Sequence, residues 1–323
     1  MKYFLILNPG AKDGSSGKKF KKIFRLLNEK KIEYDYKITK NLEGAYSLSV
    51  ESNKIGYDAI IAVGGDGTIN RVLNGFYNNQ GKRISSSKLG VIYTGTSPDF
   101  CKSYNIPVNL ADALRLILQG KGLKIQIGQI TFAGNFDREL DGKLLNEDVE
   151  IMTRYFGCCA NFGIGPLLAQ RANSGTRRIF GDFLGTFFAL ISTLVSYRPN
   201  DFTVIRDENL ETLEKVFNLS VGKTFYIASG IKIKSDLIEG DSRFYNLLVK
   251  NMRLKNWASV LRKIYSGKQI ISDKIISLTY CKSVEICGNN LHPEVEFDGD
   301  TIGFLPCKIE MAEDKLDLIC EPL

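Results

Sequence analysis

Residues Asp58–Gly75, DAIIAVGGDGTINRVLNG, read as a buried strand, a tight turn and a helix. The apolar run from Ala59 to Gly64 suits a strand covered on both faces, and Ile69, Val72, Leu73 and Phe76 then recur at helical spacing. Gly64, Gly65 and Gly67 carry no Cβ, so the backbone can come close to a ligand, and the amides and dipole opening the helix favour an anion. A phosphate fits that description. Asp66 would repel such an anion by itself, which points to a carboxylate that holds a metal ion or orients an attacking group. A turn with no ligand is the simpler alternative. Gly-Gly-Asp-Gly-Thr placed directly after a buried strand argues against it.

On the N-terminal side, Tyr3–Leu7 reads as a strand ending in Asn8-Pro9-Gly10, followed by a Gly/Ser/Lys loop and the helical spacing of Phe20, Ile23, Leu26 and Leu27. The loop suits a phosphate and equally suits a solvated linker. Tyr34–Thr39 and Lys88–Tyr93 read as further strands, Gly44–Ile55 and Leu110–Gln119 as helices, the latter closed by Gly120. This alternation predicts an α/β domain over residues 1–125, a parallel Rossmann-like sheet with helices on both faces and ligands at the carboxyl ends of its strands. Both glycine turns fall at such ends.

The pattern then changes. Gly128–Ala133, Met152–Ala160, Asp201–Arg206, Leu213–Val221, Thr224–Ser229, Phe244–Lys250 and Ser283–Cys287 read as short strands between Gly/Asn/Asp turns. They predict a mainly antiparallel β-sandwich over residues 126–323. Ile179–Tyr197 is a long apolar helix in this half, either a cover for the core, a lining for an acyl-chain groove, or a surface that settles on a bilayer.

With 323 residues, 44% apolar and 24% charged, the chain can bury two ample cores without staples. Seven cysteines form no CxxC pair and have one histidine, His292, for company, so zinc and disulfide frameworks and a histidine triad are disfavoured and a reducing cytoplasm is expected. MKYFLILNPG is too short and too soon interrupted for a signal peptide. The net charge of +7 suits an anionic lipid surface or a nucleotide better than a nucleic-acid reader.

VGGDGTINRVLNGF resembles the signature of the diacylglycerol kinase catalytic-domain family, which includes bacterial lipid kinases and the sphingosine and ceramide kinases. NAD kinases share the motif and phosphofructokinases a looser form, so it implies a nucleotide-dependent kinase superfamily and no substrate. Other segments match in order. Asn8-Pro9-Gly10 is similar to the family's Asn-Pro-x-Ser-Gly loop, Thr39 with Gly44-Ala45 to its nucleotide-binding threonine and helix start, and Gly95-Thr96 with Asp99-Phe100 to its Gly-Thr-(Gly/Ala)-Asn-Asp-Phe segment. Arg154-Tyr155-Phe156 with Asn161–Gly165 is similar to its first strand and glycine bend beyond the boundary, and Asp298-Gly299-Asp300 through Pro306 to its late Asp-Gly-Glu hairpin.

The resemblance implies ATP and Mg2+ as cofactors and a lipid alcohol, diacylglycerol or sphingoid in type, taken from the membrane surface. Asn8, Pro9, Gly10, Thr39, Gly64, Gly65, Asp66, Gly67, Thr68, Thr96 and Asp99 would hold the nucleotide, with Asp66 also on the metal. Asp300, with Asp298, would accept the hydroxyl proton. Asp241 lies in a segment similar to an Asp-Asp-Gly turn that holds a structural metal, here altered at Gly240 and Ser242. Other departures are Pro98 for asparagine, Gln126 for aspartate, Arg71 for glutamate, and Asp300 for a glutamate one methylene longer. They keep open a family member that binds without catalysing, beside an NAD-kinase-like enzyme. A cytoplasmic protein peripheral to the membrane, free of nucleic acid, is expected, with a homodimer left open.

Overall fold

The computed structural model describes residues 1–10, 16–134, 151–167, 197–227, 231–238, 240–253, 256–287, 295–298 and 300–322. Lys12, His292 and the predicted helix over 179–197, Tyr197 apart, lie outside them.

The first lobe is built on a six-stranded sheet in the order β2 (Tyr34–Ile38), β1 (Tyr3–Leu7), β3 (Ala59–Gly64), β4 (Lys88–Tyr93), β18 (Leu316–Leu318), β5 (Leu123–Ile125). All neighbours are parallel except β5, which runs antiparallel to β18. Successive strand residues feed opposite faces, as the two-residue period requires. Phe4, Ile6, Ile60 and Ala62 pack with Ile69, Val72 and Leu73 of α3 (Asp66–Asn74). Leu5, Leu7, Ile61 and Val63 pack on the other face with α1 (Ser16–Glu29) and α5 (Leu110–Gln119). Helix α2 (Leu42–Ile55) lies alongside α3, where Ser49 Oγ donates to the Val72 carbonyl at 2.6 Å. A short helix, α4 (Asp99–Ser103), follows β4.

The second lobe is an antiparallel, barrel-like sandwich. Its path runs β14 (Ile276–Cys281), β13 (Phe244–Lys250), β10 (Asn209–Gly222), β8 (Cys159–Gly163), β16 (Val295–Phe297), β17 (Asp300–Met311), β15 (Val284–Cys287), β9 (Asn200–Arg206). The long β10 also pairs with β9, which curls the sheet on itself. Strand β6 (Gly128–Ala133) joins β17 and β7 (Ile151–Phe156). A small hairpin, β11 (Tyr226–Ile227) with β12 (Ile231–Lys232), and helix α6 (Trp257–Tyr265) stand outside this sheet. Phe132, Phe162, Phe202, Phe244 and Phe297 fill its core.

Three sequence expectations change. The strand expected over Met152–Ala160 is two strands, β7 and β8, parted by a turn at Gly157-Cys158. Residues 257–281, given no element from the sequence, form α6 and β14. The division at 125/126 places everything beyond it in the second lobe, yet β18 returns to the first and Leu316, Leu318 and Cys320 join that lobe's core.

Candidate active site

The turn after β3 enters α3 through Gly65, with the Thr68 and Ile69 amides donating to the Gly65 carbonyl at 3.0 Å each. Asn8, at the end of β1, fastens two loops together. Its Nδ2 donates to Thr68 Oγ1 at 2.8 Å and its Oδ1 accepts from the Gly10 amide at 2.9 Å. A Cβ on Gly64 would lie 2.4 Å from the Thr68 side chain, and one on Gly95 would lie 2.7 Å from the Gly65 Cα. The glycine turns after β3 and β4 therefore touch backbone to backbone, a cradle that side chains would fill. Thr39 Oγ1 and Thr94 Oγ1 are buried beside this cradle without a protein hydrogen bond. Buried hydroxyls of this kind call for a polar ligand. Thr96 is exposed and Asp99 half-buried.

Asp66 opens α3 and reaches across to α4. Its Oδ1 accepts from the Phe100 amide at 3.3 Å and its Oδ2 from the Tyr93 hydroxyl at 3.0 Å. The Pro98 cap residue of α4 has no side-chain hydrogen bond, and Asp66 takes up one of that helix's open amides instead. Burial first, then the Asp99 carboxylate, push the Asp66 carboxyl up to about 7; the two donors oppose that rise and Asp298 adds to it. Two carboxylates held this close favour a divalent cation with phosphate oxygens as its remaining ligands. Among the described residues, no group of three or more His, Cys, Asp and Glu side chains is placed to hold a metal by itself.

From the second lobe comes the hairpin between β16 and β17. Phe297 pairs with Asp300 across a two-residue turn whose first member, Asp298, has φ +48°. This is the geometry expected of an Asp-Gly turn. The Asp298 carboxylate is tied down: Oδ2 accepts from the Gly157 amide at 2.7 Å and Asn70 Nδ2 at 3.1 Å, Oδ1 from the Cys158 and Cys159 amides at 2.9 and 3.2 Å. Burial raises its pKa against these donors. Asn70 sits one helical turn after Asp66, so Asp298 brings the hairpin against the helix that begins at the glycine cradle. The Asp300 backbone opens β17 two residues further on; its side chain lies outside the described part of the molecule.

Sequence reasoning passed over the residues that join the lobes here. Asn74 Nδ2 donates to the Tyr155 carbonyl at 2.8 Å while its Oδ1 accepts from the Tyr155 amide at 2.8 Å, and Asn70 Nδ2 donates to the same carbonyl at 2.9 Å. Tyr155 stacks on Tyr77 with centroids 4.5 Å apart, and its hydroxyl donates to the Asn78 carbonyl. The i,i+4 spacing of Asn70 and Asn74 on a helix otherwise apolar on that side was the available signal.

Asp241 lies elsewhere. Arg243 Nη2 stands 2.7 Å from its Oδ2, and this guanidinium first of all lowers the Asp241 pKa. Lys223 Nζ donates to the Asp241 carbonyl and to Gln126 Oε1 at 3.1 Å. Cations of the chain itself thus occupy the surroundings of the expected structural metal, and Gln126 serves this joint.

Two family models divide the chain. The diacylglycerol kinase catalytic domain matches residues 2–130, and the YegS C-terminal NAD kinase beta sandwich-like domain matches residues 160–320. A diacylglycerol kinase of Staphylococcus aureus (strain bovine RF122 / ET3-1) is 26% identical over 263 residues, 81% of this chain and 74% of that one. One of Staphylococcus epidermidis (strain ATCC 12228 / FDA PCI 1200) is 25% identical over 262 residues, with the same coverage of 81% and 74%. Two solved structures from Bacillus anthracis str. Sterne, the first described as a diacylglycerol kinase, share the fold with TM-scores of 0.67 and 0.72, at 20% identity over 99% of this chain and 97% of each. With both lobes matched in order and the glycine cradle of the one tied to the Asp-Gly hairpin of the other, the matches support the diacylglycerol kinase catalytic-domain family as that of this chain.

Proposed function

We propose that the chain is an ATP-dependent lipid kinase that transfers the γ-phosphoryl group to the hydroxyl of a lipid alcohol, diacylglycerol or sphingoid in type. The observation that carries this reading is the Asn70–Asp298 hydrogen bond, which brings the acidic hairpin of the second lobe to the helix that opens at Gly65-Asp66. Phosphoryl transfer asks mainly for charge neutralisation and in-line placement. When bound, ATP supplies the transferred group and its Mg2+ spreads the developing charge. Gly64, Gly65 and Gly67 present backbone amides with no side chain in the way, and Thr68, fixed by Asn8, orients the turn. Asn8, Pro9, Gly10 and the Thr39 hydroxyl border the nucleotide, Thr96 the opposite wall. Asp66 and Asp99 hold the cation. Asp298, with its acceptor positions taken by four donors, keeps the hairpin in place, and Asp300 takes the proton from the lipid hydroxyl.

A second reading, a family member that binds without phosphorylating, draws support from Pro98 and from the engagement of Gln126 with Lys223. Radiolabelled ATP with diacylglycerol, a sphingoid base and ceramide as acceptors separates the two. Labelled lipid, lost in both Asp66→Ala and Asp300→Ala, is the expected result; nucleotide binding without any labelled product sinks the kinase proposal.

A further inference from the structure

Resting on the lipid-kinase reading, we infer that the face formed by the β11–β12 hairpin, the end of α6 and the loop after it is where the protein settles on an anionic bilayer.

Charge is the first argument. Residues 253–274 hold six basic residues and one acidic, and residues 225–234 two lysines and no acid, which together equal the whole chain's net charge of +7. The remaining residues sum to zero. Such concentration of like charge in two segments attracts the protein to anionic headgroups within a Debye length.

Exposed apolar side chains are the second. Ile271 at 82% and Ile238 at 77% are the most exposed large apolar residues among those described, and Tyr265 and Phe225 add to them. A parallel bridge between Lys234 and Gln269 joins the two segments, so that Ile238 and Ile271 leave it in the same direction. The Lys232 stem passes beside Gly267, and Arg262 and Lys263 close α6. Basic groups beside bare isoleucines and aromatics suit the boundary between headgroups and acyl chains. A nucleic acid would use the lysines and leave the isoleucines without purpose.

Position is the third. Tyr226 of the hairpin exchanges hydrogen bonds with Ser103 of α4: its amide donates to Ser103 Oγ at 3.3 Å and its carbonyl accepts from that hydroxyl at 3.4 Å. Lys102 and Lys232 stand 5.8 and 5.6 Å from the Tyr226 ring centroid. A lipid hydroxyl at headgroup level would meet the cleft beside this rim.

Vesicle flotation of the full chain tests the assignment, with phosphatidylcholine alone and phosphatidylcholine containing phosphatidylglycerol. Binding to the mixed vesicles is expected to fall roughly tenfold or more in Lys234→Glu/Lys268→Glu and in Ile238→Ser/Ile271→Ser, and to stay unchanged in Ile38→Ser/Ile55→Ser on the other lobe. Thermal melting checks that each variant folds. Phosphorylation of a short-chain acceptor in neutral detergent is read in parallel and is expected to survive the docking variants. Loss of vesicle binding without any kinase activity in the unaltered protein leaves the docking face standing and removes the kinase reading. Vesicle binding that the docking variants retain, or retention on RNA with none on either vesicle, overturns the docking face.

Discussion

Two of the joints between the lobes are made of opposite materials. At one, Asn70 and Asn74 meet the Tyr155 backbone and Asp298 through short hydrogen bonds in a buried setting. Among the described strands β7 pairs only with β6, and Asn74 meets its other edge with a donor and an acceptor as a neighbouring strand would. At the other, Lys223 gathers Gln126 and the Asp241 and Arg243 carbonyls around an ammonium group, with the Arg243–Asp241 ion pair at the surface. Neutral amides bury cheaply once satisfied, whereas charges lose hydration that their partners must replace. Burial pushes the Lys223 ammonium down to about 8, the sign of incomplete replacement. The amide joint beside the cradle thus fixes a register, and the charged joint beside the linker holds more loosely.

Breaking the amide joint gives the largest expected effect. Asn74→Ala leaves the Tyr155 amide unpaired in a buried place and takes from the Tyr155 carbonyl one of its two donors, Asn70 being the other, at a cost of about 3 kcal/mol of stability, read by denaturant unfolding; a loss below about 1 kcal/mol would refute the role given to that edge. Next comes the functional charge beside this joint. The folded-state pKa of Asp66, about 7, lies above its ordinary value of 3.8, so between those values the folded protein keeps a proton that the unfolded chain gives up. Stability from that proton is present below pH 4 and lost as pH rises through 7. Asp66→Asn should therefore stabilise the ligand-free protein at pH 8 by on the order of 3 kcal/mol, do little at pH 4, and abolish phosphoryl transfer; melting curves at the two pH values decide it. Smallest is the charged joint, where Lys223→Met should change stability by no more than about 1 kcal/mol. A larger loss would put that joint on a level with the amide one.

The cradle was legible because a strand buried on both faces and three glycines leave few other readings. The change of architecture near residue 126 was equally plain in the shortened periodicity. The return of strand β18 to the first sheet was not, since its parallel partner β4 lies more than two hundred residues earlier and local spacing cannot join them. Helix α6 could have been found: Trp257, Val260, Leu261 and Ile264 fall at i, i+3, i+4 and i+7. Asp298 showed its turn chemistry in sequence, but the three amides that hold its carboxylate come from the β7–β8 turn, which local spacing cannot bring near. Asn70 and Asn74 stood in the quoted stretch as ordinary helix residues, for the partner that gives them meaning is a backbone some eighty positions away.

Because β18 slots between β4 and β5, the peptide passes from one lobe to the other twice, once on each side of the sandwich insertion. Two tethers forbid the free swivel of a single-stranded hinge, so any opening of the cleft must be a shallow rocking about an axis through both crossings. The same threading delays assembly: during synthesis the nucleotide-side sheet stays one strand short until the entire sandwich has left the ribosome, which ties the maturation of both halves to one late event.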